Sequence, residues 1–98
     1  SNLNVEYGFI EANKLILGVV GKQNVCYYKY TFIKKYTKVP VIIATWHDGT
    51  SNWQSHGPIN VSVNGITTTS CYFITSQSSV YGNNITTDGV DFLIINKD

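Results

Sequence analysis

Apolar residues recur with a period of two along most of this chain, the spacing of strands with one covered face. Val25 to Phe32 places Cys26, Tyr28, Tyr30 and Phe32 on one side and Val25, Tyr27, Lys29 and Thr31 on the other. That is the pattern of a half-buried antiparallel strand. Ile59 to Val63 alternates in the same way, with Ile59, Val61 and Val63 inward, and Asn64-Gly65 after it is a two-residue hairpin signal. The return strand runs through Cys71 to Ile74, and Thr67 to Ser70 is either its exposed start or a wider loop. Near the start, Val5 to Ala12 and Leu15 to Val20 read as two short strands joined by a turn.

Two segments break the alternation. In Val41 to Trp46, Val41, Ile43 and Thr45 share one face and Ile42, Ala44 and Trp46 the other. Asp91 to Asn96 likewise carries Phe92 and Ile94 on one parity and Leu93 and Ile95 on the other. A sandwich covers only one face of each sheet, so strands that are apolar on both sides need a second cover. Another subunit supplies it, which predicts a homo-oligomer. The alternative is that the N-terminal segment folds over these strands within one chain.

Composition narrows the class. Val and Ile number 21 against six Ala and Leu, which favours strand over helix and makes the chain all-β. Ninety-eight residues suffice for one domain, spanning 1–98. With 13% charged residues, seven lysines, no arginine and a net charge of +1, neither a disordered chain nor a nucleic-acid binder fits. The longest apolar run, Leu15 to Val20, is far below the roughly 20 residues of a membrane span, so no membrane insertion is expected. Methionine is absent even at position 1, as in a processed start or a domain cut from a longer protein.

Catalytic motifs fail one by one: no nucleophile elbow, no HExxH and no phosphate-cradling glycine loop occurs, so the chain reads as a non-enzyme without a cofactor. His47-Asp48 with His56 offers metal donors on one loop, but a third strong ligand is missing and neighbours on a strand point apart, so no metal is expected. Cys26 and Cys71 lack metal-type spacing and share the parity of inward residues, which predicts buried thiols over a disulfide. Lys34, Lys35 and Lys38 read as a solvated connector.

Ser, Thr, Asn and Gln make up 31 residues, a surface of neutral donors and acceptors. Sugars are recognised by such groups together with an aromatic face that packs on the C–H side of a pyranose. The polar loop from His47 to Pro58 supplies this combination in Trp53 flanked by Asn52 and Gln54, with His56 close by in sequence. Tyr81, followed by Asn83 and Asn84, supplies it in the polar stretch Ser76 to Gly89. The competing expectation is that Trp53 and Tyr81 fold back onto a sheet edge or an interface.

The succession Tyr30-Thr31-Phe32, Lys35-Tyr36, Val39 to Ile43, Ile59 to Val63, Gly65 to Cys71 and Gly89 to Ile94 resembles the H-type lectin domain, as also found at the C-termini of bacteriophage tail-fibre and receptor-binding proteins. It covers roughly residues 28 to 96. The resemblance implies a six-stranded antiparallel β-sandwich assembled as a parallel homotrimer, the C-terminal module of a longer protein, located in a virion or outside the cell. It further implies binding of a cell-surface carbohydrate. The alternatives are a purely structural trimerisation or fibre-tip module and a cellular H-type lectin. The family's sugar-binding arginine, which would fall near Pro58-Ile59, has no counterpart in this arginine-free chain. Its Trp-His pair would fall about Ser78-Ser79, so no lectin binding residue carries over.

Overall fold

Alternating side chains build two antiparallel sheets whose inner faces meet. The computed structural model describes residues 5–54, 58–77 and 87–97. Its strands are β1 (Val5–Glu11), β2 (Ile16–Val20), β3 (Gln23–Thr31), β4 (Val41–His47), β5 (Val61–Asn64), β6 (Ser70–Thr75) and β7 (Gly89–Ile95), with one short 3-10 turn at Ala12–Lys14. The first sheet has the order β1-β7-β4 and the second β2-β3-β6-β5. The fold is all-β, with seven strands among the described residues where the family resemblance implies six.

Between the sheets, Ile10, Val90, Phe92 and Ile94 meet Cys26, Cys71 and Phe73. Ring contacts tie the layers, with Phe92 centred 5.0 Å from Phe73 and 4.6 Å from Tyr30. The inward parity expected for β3 holds: Cys26 and Phe32 are buried, and Tyr28 and Tyr30 pack against the core.

The N-terminal pair is not a hairpin. β1 pairs with β7, from Val5 opposite Ile95 to Glu11 opposite Gly89, whereas β2 pairs with β3. The Ala12–Lys14 turn carries the chain from one sheet to the other, with Ala12 and Leu15 buried at the crossing and Ala12 N donating to Asp88 O at 2.8 Å. Pairing with β7 buries Ile10 beside Val90, which a local hairpin would not achieve. The Asn64-Gly65 signal also resolves differently: Gly65 takes the left-handed backbone at φ 58°, but the loop is wider than two residues. Thr67 Oγ1 organises it by accepting from Thr69 N at 3.1 Å and Ser70 N at 3.0 Å.

β1 widens the first sheet sideways instead of lying over it. Within one chain the outer face of that sheet therefore has no cover among the described residues. Cross-strand rows there read Val5–Ile95–Val41 and Tyr7–Leu93–Ile43. Tyr7 is 78% exposed and Ile43 56%.

A buried carboxylate closes the other side of β1. Glu6, only 5% exposed, accepts from Ile33 N at 2.9 Å, Lys34 N at 3.0 Å and Tyr36 Oη at 3.1 Å, and from the Tyr30 hydroxyl. The lysine-bearing connector between β3 and β4 is thereby pinned to β1 through its backbone while Lys34 and Lys35 stay in solvent.

Cys26 and Cys71 carry buried thiols. In the register Cys26 faces Thr75 while Cys71 faces Tyr30, four residues further along, so a disulfide would need to span roughly 13 Å instead of the ~6 Å it allows. Burial, then the field of Glu6, pushes the Cys71 thiol up to about 12, and burial alone raises Cys26. A thiol-specific reagent is expected to label neither cysteine in the native protein and both in urea; rapid labelling in native buffer would contradict the packing.

Candidate functional site

The loop after β4 begins at one pole of the first sheet. Val5, Ile95 and Val41 align at one end of the sheet, and Glu11, Gly89 and His47 at the other. From His47 the chain passes through a ladder of side-chain-to-backbone turns. Thr50 N donates to Asp48 Oδ1 at 3.0 Å, Asn52 N to Thr50 Oγ1 at 3.2 Å and Gln54 N to Asn52 Oδ1 at 3.2 Å. Such bonds are how Asp, Asn and Thr hold a polar loop in shape. Its base is fixed where Gly49 N donates to the buried Asp88 Oδ1 at 2.7 Å.

On this loop Trp53 is 81% exposed, flanked by exposed Asn52 and Gln54. The indole is displayed and not folded back onto the sheet. Asn52, itself exposed, accepts from the Gln54 backbone with its side-chain oxygen. His56, Tyr81 and Asn83 lie outside the described residues.

His47 turns away from the loop. Its Nδ1 lies 3.0 Å from Asp91 Oδ2 and its ring stands edge-on to Phe9 at 5.6 Å, both on the outer face of the first sheet. Asp48, on the opposite parity, caps Thr50. The two adjacent residues therefore point apart, and no group of three metal-ligating side chains occurs among the described residues.

A second surface, absent from the expectations above, lies on the outer face of the β2-β3-β6-β5 sheet. Cross-strand rows place Ile16, Tyr27, Ile74 and Ser62 in one line and Lys29, Tyr72 and Asn64 in the next. Tyr27 and Tyr72 stand 6.2 Å apart at 47°, and Lys29 Nζ sits 5.9 Å from the centre of the Tyr72 ring. The Tyr27 ring lies across β2 at Gly18, where an added Cβ would come within 2.6 Å of it. A recess of about 400 Å³ opens there, lined by Lys14, Ile16, Tyr27, Lys29 and Tyr72 among others. A smaller one of about 240 Å³, including Val25, Ile74, Gln23, Asn60 and Ser62, lies on the same face.

Outward Tyr27, Lys29 and Tyr72 are visible in the strand parity. Their meeting depends on the β3–β6 register, which the sequence alone does not provide.

The fold defines an all-β protein of two packed antiparallel sheets with exposed aromatic and neutral polar groups. No protein family, no curated protein and no solved structure matches the chain.

Proposed function

We propose that this domain is a non-catalytic module that binds a cell-surface glycan through the Asn52-Trp53-Gln54 loop. The observation that carries the proposal is the Trp53 indole, 81% exposed on a loop whose backbone is braced by Asp48, Thr50, Asn52 and Asp88. A flat aromatic face held out on an ordered loop between amides is what a pyranose needs, and bracing before binding lowers the entropy cost of recognition. The loop begins at the pole opposite Val5 and Ile95, so attachment through either end of the chain leaves it accessible.

In this reading, which the sequence resemblance to the H-type lectin and tail-fibre domains supports, such a module sits at the tip of a phage or prophage fibre as a parallel homotrimer, in the virion or outside the cell. The uncovered apolar row Tyr7–Leu93–Ile43 supports the assembly. The same row supports a second function, trimerisation of a fibre with no ligand at all. Glycan binding distinguishes the two. Trp53→Ala is expected to weaken adsorption of the domain to host cells or purified wall polysaccharide by about tenfold, the ~1.4 kcal/mol of one aromatic contact. Unchanged adsorption would remove the loop from the function.

A further inference from the structure

We infer that the recess on the outer face of the β2-β3-β6-β5 sheet is a second saccharide site, independent of the Trp53 loop, that takes an acidic, carboxylate-bearing pyranose. Its lining combines three tyrosines, Tyr27, Tyr28 and Tyr72, with two lysines. Tyr27 and Tyr72 offer adjacent ring faces and hydroxyls, and Lys14 and Lys29 bring two positive charges to a recess with no Asp or Glu in its lining. The volume of about 400 Å³ lies in the range of roughly 300–1,000 Å³ usual for small-molecule sites.

Charge decides among the possible occupants. A second copy of this chain seated symmetrically would bring the lysines of both copies together without a carboxylate between them, which is repulsive. A neutral sugar would use the rings and leave two ammonium groups without an anionic partner. A polyol phosphate would satisfy the lysines and present no flat C–H face to Tyr27 and Tyr72. A uronic or sialic acid uses both halves of the lining, with its ring against the tyrosines and its carboxylate toward Lys14 and Lys29.

Gly18 is part of the site's construction. Any side chain there would push the Tyr27 ring off β2 and close or reshape the recess.

The test is a titration of the full chain, followed by backbone amide shifts and calorimetry, with trigalacturonate, disialic acid, the carboxyl-reduced neutral trisaccharide and glycerol phosphate oligomers. Shifts are expected at Lys14, Tyr27, Lys29 and Tyr72 with at least one of the two acidic saccharides. Lys29→Gln and Lys14→Gln, both conservative on an exposed surface, should each weaken that binding about fivefold, and raising the salt should weaken it as well. Trp53→Ala should leave it unchanged, which separates failure of this site from failure of the loop. No response to either acidic saccharide overturns the inference, as does equal binding of the neutral or glycerol phosphate probe, or shifts confined to residues 52–54.

Discussion

Replacing Glu6 with alanine is expected to lower the stability of the folded domain by about 4 kcal/mol, a large share of the ~5–15 kcal/mol typical of such a domain. The change strands four donors at once: the Tyr30 and Tyr36 hydroxyls and the Ile33 and Lys34 amides. A buried donor without an acceptor costs more than the bond itself was worth, because it gave up water to be there. Glu6→Gln keeps one carbonyl oxygen and is expected to cost about half as much. Urea denaturation at fixed protein concentration should show the midpoint falling with little change in slope. A loss below about 1 kcal/mol for the alanine variant would mean that the connector is held by something else.

The same carboxylate sets an acid dependence. Burial raises the Glu6 pKa, but the bonds from Ile33, Tyr30, Lys34 and Tyr36 outweigh it and hold the carboxyl below its ordinary value of 4.5. Its contribution is therefore fully present above pH 4.5 and is lost as the pH falls through the lower folded value. Glu6→Gln should lack this part of the acid loss. An identical pH profile for both proteins would refute the assignment.

Ile43→Asp is expected to convert the proposed homotrimer, about three times the 10.9 kDa chain, into monomers. Ile43 sits in the row with Leu93 and Tyr7 on the uncovered face, at the end of the row furthest from β1. Losing its burial would cost about 2 kcal/mol per chain, and the new carboxylate would have to be desolvated in addition. Light scattering over a concentration series decides the matter. A wild-type protein that is monomeric at every concentration would dispose of the interface, and a trimer unaffected by the substitution would move it elsewhere. Because Ile43 faces outward, the variant monomer should unfold at nearly the wild-type monomer's midpoint.

The legible part of this fold was the part governed by period-two alternation. The inward residues of β3 and β5, the two-sided apolar character of β4 and β7 and the buried thiols all follow from parity, which every strand carries in its own sequence. What escaped depends on pairing across long separations. β1 and β2 are the two short strands joined by a turn that the sequence predicts, but the sequence does not give their partners: β1 pairs with β7, more than 75 residues away. Glu6 reads as an ordinary charged position until the connector brings Ile33, Lys34 and Tyr36 to it. The Tyr27–Tyr72 recess has the same origin, since each tyrosine alone is one more outward aromatic. The structure shows Asn52, Trp53 and Gln54 exposed on the loop after β4, a polar loop that the sequence marks by its local run of small polar residues.

The pairing of β1 with β7 also dictates an order of events during synthesis. The β2–β3 hairpin can form as soon as its own residues emerge, whereas β1 waits for β7 to emerge, on the order of ten seconds at ribosomal rates of about 5–20 residues per second. Contacts of such long range make for slow closure. The first sheet is completed only by strand β7, so its outer face exists as an ordered surface only in chains that include β7. A chain terminated before β7 lacks that surface altogether and is shut out of any assembly built on it.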